Sequence, residues 1–185
     1  MKEKKVKEVM IALNDYATVS EEDTLATAIK TLKKARGDSK SIHKHRSVLV
    51  YDKKQNIVGK VSIRCILQSL EPKYCQLEHQ DAKGSLGASR FGFSEHFLNS
   101  LIENFCLWDE TLEDIVKKAS KLKIKEIMYT PSNGEYVDED ASLAEAVHQF
   151  ILGTHHSLLV TKKKKVTGIL RLVDLFELVS EALEK

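Results

Sequence analysis

The pentapeptide VKEVM, Val6 to Met10, returns as IKEIM, Ile124 to Met128, 118 positions later, and the residues after each copy match too. TVSEEDTLATAIKTL, Thr18 to Leu32, is answered at the same offset by YVDEDASLAEAVHQF, Tyr136 to Phe150. Leu25, Ala28, Ile29 and Leu32, like Leu143, Ala146, Val147 and Phe150, fall at i, i+3, i+4, i+7. That spacing makes one apolar helical stripe, which needs a surface to cover it. Thr24 and Ser142 are the expected N-caps, and Ser142-Leu-Ala-Glu145 reads as a capping box. A β-hairpin comes next in each copy, SVLVYDKKQNIVGKV from Ser47 and SLLVTKKKKVTGIL from Ser157, the second with a turn one residue shorter. Apolar helices, Ile63 to Leu70 and Leu172 to Leu183, close the two units. The unit is therefore strand, helix, strand, strand, helix, run twice. One unit has too little sheet to cover its own stripes, so two copies are expected to pack together.

Composition excludes several function classes. Lys plus Arg number 29 against 27 Asp plus Glu, a net charge of +2 that gives no duplex-binding face. The densest charge run, Lys162 to Lys165, lies in a hairpin turn without aromatic residues, so it reads as a solvated turn and nucleic acid is not expected. Cys65, Cys75 and Cys106 are odd in number and lack C-x-x-C spacing, which argues for reduced thiols in a cytoplasmic protein. No apolar stretch approaches the ~18 residues of a membrane span, so neither export nor insertion is expected. There is no Ser-His-Asp spacing, P-loop or paired-histidine motif. No catalytic residue is assigned, and the chain is not expected to be an enzyme. His43, His45, His155 and His156 lack a Cys or carboxylate completing a ligand set, so no metal site is assigned either.

The two repeats resemble the cystathionine-beta-synthase (CBS) domain family in its tandem form, the Bateman module. The resemblance rests on the V-x-x-V/I-M opener, the alanine-containing amphipathic helix, the hairpin with G-h-h in its last strand, and an acidic residue opening the last helix. It implies an α/β fold, with two CBS-type β-α-β-β-α repeats packed in pseudo-twofold symmetry. It also implies an adenine nucleotide (AMP, ADP, ATP or S-adenosylmethionine) held between the repeats as a regulatory ligand, no other cofactor being required. In the family's G-h-h-[ST]-x-x-D pattern the hydroxyl approaches phosphate and the Asp accepts both ribose hydroxyls, a task suited to charge-assisted bonds. Here the first repeat gives Gly59-Lys-Val-Ser62-Ile-Arg-Cys65, keeping Ser62 without the aspartate. The second gives Gly168-Ile-Leu-Arg171-Leu-Val-Asp174, keeping Asp174 with Arg171 in place of the hydroxyl. Arg171 can fork onto a phosphate, which places the better site at Asp174; the competing reading makes Asp174 a helix cap. Positions that face phosphate in the family fall at His45 and Arg46 and at His155 and His156, where histidine would make binding pH-dependent; the alternative is that these are surface residues.

Residues 71–122 have no counterpart, so the expected divisions are repeat 1 at 1–70, a helical insert at 71–122 and repeat 2 at 123–185. Within the insert, residues 81–93 hold three of the eight glycines and read as a loop. Leu98, Leu101, Ile102 and Phe105, then Leu112, Ile115, Val116 and Ala119, predict two amphipathic helices, with Ser94 and Asp109 as caps. The insert is a candidate surface for a protein partner. Leu172, Leu175, Phe176 and Val179 form a stripe through which a homodimer is expected. The expected function is regulatory ligand sensing that acts on a separate chain. The alternative is a ligand-free interaction module with degenerate clefts, acting through dimerisation and the insert.

Overall fold

The computed structural model describes residues 3–38, 45–73 and 95–184. The glycine-containing run 81–93, the cap Ser94 and His43 lie outside the described residues. In chain order the elements are β1 (Ile11–Ala12), β2 (Thr18–Ser20), α1 (Leu25–Asp38), β3 (Ser47–Tyr51), β4 (Ile57–Ser62) and α2 (Ile63–Ser69). The insert contributes α3 (Glu95–Asn104) and α4 (Leu112–Ala119). Then come α5 (Ile124–Ile127), β5 (Tyr136–Asp138), α6 (Leu143–Gly153), β6 (Ser157–Lys162), β7 (Lys165–Arg171) and α7 (Leu172–Leu183). The class is α/β, and the order strand, helix, strand, strand, helix occurs twice. β2 runs parallel to β3 and β5 to β6, while β3–β4 and β6–β7 are antiparallel hairpins. The Ser142 capping box is present, with Glu145 N donating to Ser142 Oγ at 3.2 Å and Ser142 N to Glu145 Oε2 at 2.9 Å.

The openers are exchanged between the repeats. β1 pairs with β7, Ile11 opposite Ile169 and Ala12 opposite Gly168, so the larger sheet runs β1-β7-β6-β5 and the smaller β2-β3-β4. Reciprocally, Tyr129 and Lys60 of β4 trade backbone hydrogen bonds of 2.9 and 3.0 Å. Val6 is fully buried among Val137, Leu143, Phe150 and Leu170 of the second repeat. Ile124 is fully buried among Val19, Ala28, Leu32 and Val48 of the first. The opener backbone also serves helix starts that are otherwise short of acceptors: Leu143 N donates to Lys4 O and Leu25 N to Leu122 O, at 3.0 and 2.9 Å.

Two glycines explain why the methionine of the opener and the glycine of the last strand both repeat. A Cβ on Gly168 would stand 2.4 Å from Ile11 O and 3.0 Å from Met10 Sδ, and one on Gly59 would stand 2.8 Å from Met128 Sδ. Each methionine thus lies over the glycine of the other repeat, where any side chain would push the opener off the strand. Exposed ion pairs follow the same exchange, Lys7 to Asp140 at 2.8 Å and Lys125 to Glu22 at 3.2 Å. Exposed pairs of this kind contribute little stability, so the apolar contacts hold the exchange. Between the two sheets lies a third core of Tyr16, Leu49, Leu159 and Ile169.

Two expected stripes divide. In α7, Leu175 is 3% exposed and belongs to the second repeat's core, whereas Leu172, Phe176 and Val179 face outward at 38%, 63% and 44%. In α4, Ile115 and Ala119 turn inward while Leu112 and Val116 stay exposed. Glu71, just beyond α2 at the first position of the insert, is a buried carboxylate that accepts from Trp108 N at 2.9 Å and so holds the turn at Trp108 beside the end of α2.

Candidate functional site

The start of α7 carries the pair singled out in the sequence. Arg171 is the N-cap residue but makes no capping bond with its side chain. Its Nε donates to Asp174 Oδ2 at 2.8 Å and its Nη2 donates to Oδ1, a bidentate ion pair with side chains only 8% and 16% exposed. Asp174 is therefore not the helix cap. It stands in the first turn, where the positive end of the helix dipole favours a carboxylate. The guanidinium fork expected to meet a phosphate is turned onto Asp174.

Residues of the first repeat come to this pair. His45, at 8% exposure, meets Tyr16 edge to face at 4.5 Å between ring centroids, and Tyr16 Oη lies 3.1 Å from Ser47 Oγ. Burial, then the Arg171 charge, holds the His45 imidazole below its ordinary pKa, so the ring is neutral at pH 7 rather than a phosphate-binding cation. Burial also raises the Tyr16 phenol, on which Arg171 and Asp174 both act. His45 Nδ1 is buried and has no hydrogen-bond partner among the described residues. A buried polar atom without a partner costs free energy, and here it marks the polar cluster Tyr16, His45, Ser47, Arg171 and Asp174, assembled from both repeats.

The pseudo-equivalent cluster surrounds β4. Ser62 caps α2, its Oγ accepting from Cys65 N at 3.1 Å and standing 3.1 Å from Cys65 Sγ. Beside it Lys60, where the second repeat has Ile169, sends its ammonium 2.7 Å to Glu135, whose side chain is 3% exposed. Tyr129 Oη donates to the same carboxylate at 2.5 Å and Ser132 N at 3.0 Å, while Lys60 also reaches Ser157 Oγ at 3.5 Å. Burial pushes the Glu135 carboxyl up, but the bonds from Lys60, Tyr129 and Ser132 outweigh it and hold it below the usual range. Donating to that carboxylate, and then burial, pushes the Tyr129 phenol up to about 12.

The other expected residues stay outside both clusters. Arg46 and His156 are exposed, and their carbonyls accept from Ile63 N and Leu172 N, which pins the starts of α2 and α7. The His155 ring lies over Gly153, where a Cβ would come within 2.1 Å of Nε2. Tyr16, Ser47, Lys60, Tyr129 and Glu135 were not singled out in the sequence. A lysine inside the apolar strand IVGKV, aligned with Ile169, was the available signal. Among the described residues no group of three or more His, Cys, Asp or Glu is placed to hold a metal ion. Nor is any described helix long and apolar enough to cross a membrane.

With this geometry in view, the chain belongs to the CBS domain family, which it matches over residues 6–72 and 124–181. The two matched stretches form a tandem CBS pair. Solved structures share the fold at low identity. A CBS domain-containing protein of unknown function from Bacillus anthracis is 17% identical, with 97% of this chain and 95% of that one covered and a TM-score of 0.62. The CBS domain of a bacterial CNNM/CorC family Mg2+ transporter in complex with ATP is 15% identical over 97% of this chain and 89% of that one, TM-score 0.59. CBSX2 in complex with AMP is 14% identical over 97% and 98%, TM-score 0.58. No curated protein matches the chain by sequence.

Proposed function

We propose that this tandem CBS pair is a regulatory, non-catalytic module of the cytoplasm that takes an adenine nucleotide between its repeats, at Arg171 and Asp174, and passes the bound state to a partner protein. One observation carries this reading. His45 keeps a buried, unpartnered Nδ1 in a polar cluster that draws on both repeats and includes the carboxylate suited to a ribose diol. The ATP and AMP bound by two proteins of the same fold agree with it. Ligand held across the repeats would fix their relation, and the insert, whose turn at Trp108 is bonded to Glu71 just beyond α2, is the element to transmit it. The outward residues of α7, Leu172, Phe176 and Val179, together with Leu67 of α2, offer the surface for a homodimer. Phe176→Glu should then yield a monomer by light scattering.

Thermal unfolding with AMP, ADP, ATP or S-adenosylmethionine tests the reading. At ~100 times its Kd a ligand adds about 2.7 kcal/mol, a rise of roughly 5–10 °C for this chain length. Asp174→Ala should remove the ligand-dependent rise, and Trp108 emission should follow binding in the wild type. A second reading, a ligand-free interaction module, is favoured by the two filled clusters: Arg171 holds both Asp174 oxygens, and Glu135 holds Lys60. Flat melting curves across all four ligands would select it.

A further inference from the structure

We propose that Asn133-Gly134 is a self-modifying site: the Gly134 amide attacks the Asn133 side chain, ammonia leaves, and the isoaspartate formed by hydrolysis draws Glu135 off Lys60 and loosens the contact between the repeats. Water is the one co-reactant. No ligand takes part, so the site stands apart from the nucleotide reading.

The chain holds four other asparagines, Asn14, Asn56, Asn99 and Asn104, and only Asn133 precedes a glycine. Asn133 and Gly134 are exposed and open a three-residue 3-10 turn, Asn133–Glu135, between Tyr129, which pairs with β4, and β5. The Asn133 side chain has no hydrogen-bond partner among the described residues, whereas Asn56 Nδ2 is held by Asp52 Oδ2 at 3.1 Å. Gly134 N is at the second position of the turn, where the first amides of a helix lack partners inside it. The fold does not demand this glycine. Its φ lies outside the left-handed region, and a Cβ built on it would meet nothing nearer than His155 Nε2 at 3.9 Å, apart from its chain neighbours. A Cβ on Gly59 or Gly168 would instead stand 2.8 or 2.4 Å from the opener. What the missing side chain at 134 leaves open is the approach to its own nitrogen.

The step balances without oxidant or metal. Gly134 N gives up its proton and bonds to Asn133 Cγ, the Cγ–Nδ2 bond breaks, and the nitrogen leaves as ammonia, closing a succinimide ring. Water entering at Cγ then restores the main chain with an aspartate at position 133. Water entering at the main-chain carbonyl carbon leaves the peptide running through Cβ and Cγ, one methylene longer. Rotation into the attack geometry breaks one bond, Glu135 N to Ser132 O, in a short turn of poor hydrogen-bond geometry.

The longer product acts on Glu135. Two bonds close over residues 133 and 134, Glu135 N to Ser132 O and Ser132 N to Glu135 Oε1, both at 3.0 Å. An extra methylene inside that loop cannot leave both bonds intact and the same carboxylate seated on Lys60 at 2.7 Å and Tyr129 Oη at 2.5 Å. The aspartate product keeps the chain length and serves as the control.

The full chain, aged for weeks at pH 7.5 and mapped by peptide mass spectrometry beside Gly134→Ala and Asn133→Asp, tests the proposal. Asn133 should convert about tenfold faster than any other asparagine, and Gly134→Ala should slow it by about tenfold, one decade of barrier. The urea midpoint should fall in proportion to isoaspartate content, read by resistance to an aspartate-directed protease, while fresh Asn133→Asp keeps the wild-type midpoint. In Lys60→Met with Glu135→Leu the same isoaspartate content should lower the midpoint less. Intact Asn133 in the folded chain, under conditions that convert the free peptide SNGEY, overturns the site. Equal conversion in Gly134→Ala overturns Gly134 N as the nucleophile. An unchanged midpoint, an equal fall in Asn133→Asp, or an equal fall without the Lys60–Glu135 pair overturns the link to the repeat contact. Should Gly134→Ala fail to fold, Asn133→Gln, whose longer side chain cannot close the same ring, should keep its midpoint on ageing, and a wild-type decline refutes the proposal.

Discussion

Lys60→Ala removes one half of the charge pair that spans the repeats. The Glu135 carboxylate left behind has a 3% exposed side chain and keeps the Tyr129 hydroxyl at 2.5 Å and the Ser132 amide at 3.0 Å. Removing one partner of a buried pair costs about 3–5 kcal/mol. The 16% exposure of Lys60 lets water reach that end, which favours the lower figure, about 3 kcal/mol, or about 6–12 °C in Tm for a chain of this length. The pH dependence gives a second, independent signature. In the wild type the Glu135 pKa lies below its ordinary 4.5 despite burial. Its stabilisation is therefore full above pH 4.5 and is lost as the pH falls through the folded value. Without Lys60 burial is opposed by the Tyr129 and Ser132 bonds alone, so the carboxyl rises from its wild-type value and the folded variant binds the proton more tightly than the folded wild type. The damage should be largest at neutral pH and shrink toward pH 4.5. Urea denaturation of wild type and Lys60→Ala at pH 7.0 and 5.0 measures both effects. Lys60→Met with Glu135→Leu should recover most of the loss, because apolar packing replaces a buried pair at little cost. A loss under about 1 kcal/mol at pH 7, or the same loss at both pH values, refutes the reasoning.

Val6→Ala should cost about 1–3 kcal/mol and release amide protection in residues 136–183 rather than 47–70, because Val6 is buried in the second repeat's core; Ile124→Ala should do the reverse, and hydrogen exchange reads both. His45→Phe keeps the edge contact with Tyr16 and removes the unpartnered Nδ1. With the His45 pKa held below 6.5, the unfolded chain takes up the proton first, so wild type should lose stability as pH falls below 6.5, and urea midpoints at pH 7.5 and 5.5 should show a smaller loss in the variant. Lys163 and Lys164 form a two-residue hairpin turn with φ of 48° and 67°, a conformation that favours Asn-Gly. Lys163→Asn with Lys164→Gly should add about 1–2 kcal/mol by chemical denaturation.

The repeat, both hairpins, the helix stripes and the Ser142 capping box were legible because each is written in local spacing. The exchange of the openers was not. VKEVM shows an apolar pattern and a methionine, but nothing in its own residues says that Gly168 lies ahead of Gly59 as the partner of Met10. The same limit hid half of each cluster. Asp174 and Arg171 stand three residues apart and could be read as a pair of ligand groups, yet their mutual ion pair depends on side-chain direction at a helix start. Tyr16 and Glu135 lie in the segments that come after the exchanged openers, so their neighbours are set by packing between repeats rather than by sequence distance. Leu175 and Ile115 were placed on stripes correctly. Which edge of each stripe turns inward was decided by the neighbouring elements, since a four-residue stripe is wider than the line of contact it meets.

The exchange also determines what the clusters can report. Tyr16 follows β1, which is bound to β7, so it arrives beside His45 of its own repeat and Arg171 of the other. Glu135 follows Tyr129, which is bound to β4, and so meets Lys60. The Lys60–Glu135 pair therefore crosses between the repeats, as does the approach of Arg171 to Tyr16 and His45, whereas the Arg171–Asp174 pair lies within the second repeat. A change of charge at either place must act on the packing of the repeats against each other, because no single repeat contains the whole cluster. The insert enters this arrangement through its last residue, Leu122, whose O serves the start of α1 two positions before Ile124 of the opener fills the first repeat's core. A shift in how the openers seat would be carried along the backbone into α4 and, through Glu71, to the turn at Trp108.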